Sequence, residues 1–290
     1  MASSIAASKI VSHARSISLP SRSHPITSTV EESLDRLRAT EATSSSLSSI
    51  SHKVNLLGEL YENLSDMLQL PLTQHFLHTQ NAKWAEKVLD GSVQILDVCS
   101  ATKDVLSVMK ESFQELESSF RRRKAGDRGL DSEVERFRSS RKNVTKLVQK
   151  YLINLKKNKK NLFVEDHGHP SLVNMLSEAE AASLSLFECL LLAVSGSKTE
   201  SKSLVSKLLR SKRIACEVEE LCTSELEKLD SALEALKRDK SSKTSDFVQN
   251  VQKQLETFEL RVQDLDEGIE NLFRHLMRIR VSLLNILNHY

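Results

Sequence analysis

Between residues 248 and 286 the apolar side chains recur at alternating intervals of three and four. The series is Val248, Val251, Leu255, Phe258, Val262, Leu265, Ile269, Leu272, Leu276, Ile279, Leu283 and Ile286, with no miss. At 3.6 residues per turn these positions share one face of a helix, the seam along which long helices pack on one another. Ser245 or Asp246 supplies the N-cap. Such a helix is about 65 Å long at about 1.5 Å per residue. A seam of that length is too large an apolar patch to face water, so it has to meet other helices, in this chain or in a second copy. Gly268 lies in mid-helix, where it costs about 1 kcal/mol relative to Ala, and the spacing predicts a close helix crossing there.

The same periodicity marks earlier elements. Leu47, Ile50, Val54, Leu57, Tyr61, Leu64 and Leu68 form one stripe that Pro71 should stop. Thr73 is expected to cap a helix carrying Phe76, Leu77, Trp84 and Val88 and ending at Asp90-Gly91, with Ser92 capping the next. That next helix carries Leu96, Cys99, Leu106, Met109, Phe113, Leu116 and Phe120, and closes on Arg121 to Lys124, where cations suit the helix dipole. After Gly126 and Gly129 a stripe from Leu130 to Leu155 has one basic interruption, Arg141, and ends at Lys156 to Lys160. Pro170 opens the most apolar segment, through Leu184, Phe187, Leu190 and Leu191 to about Val194; Gly196 ends it. A further helical pattern covers Leu204 to Leu236. The predicted fold is therefore all-α: an elongated bundle of long antiparallel helices over residues 31–290, preceded by a disordered tail at residues 1–30.

Composition sharpens that picture. Seven Gly and four Pro in 290 residues leave few breaks, and 4 % aromatics require a core of Leu, Val and Ile. A net charge of +2 with both signs interleaved argues against a nucleic-acid binder. No apolar run approaches the roughly 20 residues that a transmembrane helix needs. Cys99, Cys189, Cys216 and Cys222 form no CxxC pair and read as buried thiols.

Four blocks carry a family resemblance: the tail from His13 to Pro25, the segment Leu68 to Gln74, the run Leu89 to Cys99, and the ending Leu272 to Leu287. Together they resemble a plant-specific domain-of-unknown-function family related to the BYPASS proteins. The resemblance implies a helical, non-enzymatic protein connected to root and shoot development through control of a mobile root-derived signal. It carries no catalytic residue over to this chain.

The sharpest local motif is in the tail, where Arg15-Ser16-Ile17-Ser18-Leu19-Pro20 has the arrangement R-S-x-S-x-P. Phosphorylated Ser18, in an extended segment turned away by Pro20, is the form that 14-3-3 adaptors clamp with arginines. The same residues are Ser-rich, Arg-bearing and free of acids, which also describes a chloroplast transit peptide. The first reading keeps the protein cytoplasmic; the second does not. Arg121 to Lys124 and Lys156 to Lys160 are helix-end cations, with an anionic membrane surface as the alternative. Glu165, Asp166, His167 and His169 read as a hydrophilic turn, and His75 with His78 lacks the Glu of a zinc motif. No metal site, cofactor or catalytic constellation is expected, and partners are proteins, with a homo-oligomer as one option.

Overall fold

The computed structural model describes residues 24–40, 46–79, 82–122, 130–162, 171–196, 225–238 and 245–288. These form α1 (Pro25–Thr40), α2 (Leu47–Leu68), α3 (Pro71–Thr79), α4 (Ala82–Arg122), α5 (Leu130–Leu162), α6 (Ser171–Ser195), α7 (Glu225–Arg238) and α8 (Ser245–Asn288). Among the described residues there is no strand, as the all-α reading requires.

Three expectations are corrected. Helical structure begins at Pro25, inside the span assigned to the tail: Val30, Leu34 and Leu37 bury one face of α1, and the folded unit starts before residue 31. His24 caps it, its Nδ1 accepting from the Ile26 amide at 3.3 Å. Second, Asp90-Gly91 does not end a helix; α4 runs through it unbroken. The Ser92 hydroxyl donates back to the Leu89 carbonyl at 2.7 Å instead of capping a new start. Third, Pro71 ends α2 but also opens α3, ahead of the cap expected at Thr73. Of the pattern from Leu204 to Leu236, residues 225–238 are described and are helical.

Four helices build the centre. α8 lies against α2 and α4, and α6 lies against the same two, so that α2 and α4 occupy one diagonal of a four-helix bundle and α6 and α8 the other. Contacts set the directions. Val54 meets Gly268 and Gln69 meets Ser282, so α2 and α8 are parallel. Leu89 meets Arg280 and Lys103 meets Glu270, so α4 and α8 are antiparallel. α1 covers α2 and α6, while α5 covers α4 and α6. Beyond the central bundle α4 extends along α5 and the first half of α8. There Phe113 stacks on Phe258 at 4.6 Å and meets Phe137 edge-on at 5.1 Å.

Candidate functional site

The long C-terminal seam is spent inside the chain. Eleven of its residues, Val251 through Ile286, are buried, and Val248 at the N-terminal end is half-buried against the core. Gly268 marks the crossing its sequence predicted: a Cβ there would stand 3.0 Å from Val54 Cγ1. Polar contacts hold the seam's edges. Lys103 reaches Glu270, with its ammonium 5.1 Å from the centre of the Phe273 ring. Arg280 donates to the Leu89 carbonyl and the Ser92 hydroxyl, each at 2.8 Å. The Gln69 amide donates to Ser282 at 3.1 Å. Cys99, fully buried, turns its thiol to the Ile269 carbonyl at 3.8 Å, and burial pushes that thiol up to about 12, the wrong direction for a nucleophile.

The α6 side of the bundle, across from α8, carries the polar core. Tyr61 and Ser183 share a hydrogen bond at 2.8 Å between α2 and α6, and burial raises the phenol far above its usual range. One turn earlier, Glu180 lays its carboxylate over Gly91, where a Cβ would stand 2.5 Å from a carboxylate oxygen. The carboxylate occupies the space that a side chain at residue 91 would take. Burial raises Glu180 to about 8, partly opposed by Lys87.

Arg141, the basic interruption of the α5 stripe, is buried and clamps the end of α6. Its Nη1 donates to the Val194 carbonyl at 2.8 Å, the Thr145 hydroxyl donates to Ser195 O at 3.3 Å, and Asp230 of α7 lies 3.7 Å from Nη2. Four carbonyls at a helix C-terminus lack intrahelical partners, and a guanidinium there meets both the carbonyls and the dipole. Gly196 ends the helix in the left-handed region, at φ 66°. Arg138 reaches Glu234 of α7 from the same face.

Between α4 and α5 lies an open cleft of about 160 Å³, lined by Glu111, Ser112, Glu115, Glu133, Arg136 and Ser140 among others. Ser112 and Ser140 are hydrogen-bonded to each other, and Glu133 lies 3.6 Å from Arg136. Four of its polar side chains are thereby paired with one another.

Of the residues singled out by sequence, Arg15, Ser16, Ser18 and Pro20 lie outside the described residues, as do Lys124, the loop from Glu165 to His169, Cys216 and Cys222. Arg121 turns back to Glu117 at 2.5 Å and Arg122 to Ser119 at 3.5 Å, the behaviour of helix-end cations. Lys156 and Lys157 are exposed on α5; the side chains of residues 158–160 lie outside the described set. His75 and His78 are exposed on α3. Sequence reasoning missed the role of Arg141 and Glu180. A charged residue on an apolar stripe was the available signal for the first; the second has none short of knowing that α4 and α6 cross at Gly91. No helix among the described residues is long and apolar enough to cross a membrane.

Fold and site define an all-helical protein closed around a long C-terminal helix whose packing seam is satisfied within one chain. The chain matches no curated protein and no solved structure. It belongs to the family described as Protein BPS1, whose model matches residues 53–286, from within α2 to the last residue of the seam.

Proposed function

We propose that this protein is a non-enzymatic regulator of plant root and shoot development that works by holding protein partners. The tail motif Arg15 to Pro20 serves as its phosphorylation-dependent docking site for 14-3-3 adaptors. Family membership supports the developmental role. The docking role is carried by one observation: the chain's strongest apolar seam is spent on its own α2 and α4, while R-S-x-S-x-P stands ahead of the folded unit. Phosphate adds roughly 1.5 to 2 negative charges and three acceptor oxygens, which an arginine cluster recognises. On this reading the tail is retained and the protein is cytoplasmic. Self-association through the seam would first require α8 to leave its slot.

Affinity capture from plant tissue with full-length wild-type and Ser18→Ala baits tests the reading. A 14-3-3 adaptor captured by the wild type and lost from the variant is the expected result; identical partner sets would sink it. Residues 1–40 fused to a fluorescent protein should stay outside plastids, and import would transfer the tail to the transit-peptide reading.

A further inference from the structure

We propose that the outer face of α5 is a docking surface for an anionic lipid bilayer. The inner face of this helix is committed, with Val134, Phe137, Val144, Val148 and Leu155 buried. On the opposite side stand Lys142, Lys146, Lys150, Ile153 and Lys157, all exposed. At about 100° per residue these five fall within about 80° of the helix circumference, and the row spans about 22 Å at about 1.5 Å per residue.

Two features separate this row from an ordinary solvated face. Its lysines have no carboxylate partner among the described residues, although charges elsewhere on the bundle pair across helices. The sequence supplies none nearby either, because no Asp or Glu occurs between Glu135 and Glu165. Within the row, between Lys150 and Lys157, Ile153 is 58 % exposed. A basic row that also presents an exposed apolar residue suits a charged plane with an apolar interior. The ammonium groups sit among lipid phosphates, the lysine stems lie along the interface, and the isoleucine enters the acyl boundary.

A folded protein partner fits less well. Lysine is depleted from the cores of protein interfaces, which are anchored by buried aromatic and aliphatic side chains in pockets. The α5 face offers one aliphatic residue on a convex ridge, and lysine, unlike arginine, is a point charge without a fork to fix a single carboxylate. The row is separate from the tail motif and goes beyond the phospho-docking reading; of the cluster noted in the sequence it includes Lys157, with Lys156 beside it.

Co-sedimentation of the full chain with vesicles tests the proposal. The protein should pellet with phosphatidylcholine vesicles containing phosphatidylserine and not with phosphatidylcholine alone, and added salt should release it. Each lysine near such a surface is worth about 1 kcal/mol, about five-fold in binding, so Lys142→Gln/Lys146→Gln/Lys150→Gln should weaken binding about 100-fold. Ile153→Ser should weaken it a few-fold, independently of salt. A control triple at other exposed cations, Lys228→Gln/Lys253→Gln/Arg278→Gln, makes the same change in net charge and should bind as the wild type. Equal loss in that control, equal pelleting with neutral vesicles, or no pelleting at all would overturn the proposal. Capture by polyglutamate resin without vesicle binding would reassign the ridge to an acidic protein. Circular dichroism of each variant confirms that these surface changes leave the helices intact.

Discussion

Glu180 stands 8 % exposed with its carboxylate over Gly91, and burial lifts it to about 8. The folded protein therefore keeps a proton there that the unfolded chain has released once the pH exceeds the ordinary glutamate value of about 4.3. A proton held more tightly by the folded state makes stability fall as pH rises, from about pH 4.5 until the folded group has itself ionised near pH 8. The contribution is full at the acid end and lost through the folded value. Urea unfolding at pH 5 and pH 8 should show this loss, with a slope of up to about 1.4 kcal/mol per pH unit from this residue. Glu180→Gln should flatten the profile and stabilise the protein at pH 8; an unchanged slope would acquit the residue. At this scale the sequence was informative where chemistry broke a pattern. Arg141 interrupts an apolar stripe because it closes the end of α6. Gly91 misled, since Asp-Gly after an apolar run is an ordinary stop signal, and the carboxylate that fills the space beside it comes from a helix more than 80 residues away.

Elements with sustained periodicity were legible to within a few residues. The α2 stripe and the α8 seam are found where the three-four spacing put them, because each buries a continuous face over many turns. α1 escaped because it is short and rich in Ser and Thr, although Val30, Leu34 and Leu37 keep the spacing four, three. The crossing at Gly268 gives a test at this scale. With Val54 Cγ1 already 3.0 Å from an added Cβ, Gly268→Leu must push α2 and α8 apart. It should cost about 2 to 3 kcal/mol of unfolding free energy, read from a lowered denaturant midpoint, beyond the propensity it gains in an isolated helix, where Leu outranks Gly. A neutral or stabilising result would show that the helices do not approach so closely.

Across the whole molecule, what periodicity could not supply was partnership. A stripe states that a face is buried and is silent on which helix covers it, so closure of the seam within one chain was open until α2 and α4 were found on either side of α8. That closure makes the seam part of the core. Leu272→Asp should abolish or severely weaken cooperative folding, read as loss of the far-ultraviolet helical signal, since an unpaired buried charge has no compensation there. Retention of full helicity with only a change in light-scattering mass would place the seam between chains instead. The diagonal arrangement also fixes an order in time. α2 and α4 leave the ribosome long before α8, on the order of tens of seconds at about 5–20 residues per second. Until then the flanks of α2 and α4 that face α8 have no cover, so the nascent chain is a client for chaperones, and any early stop that removes α8 delivers a sticky, incomplete bundle rather than a smaller working protein.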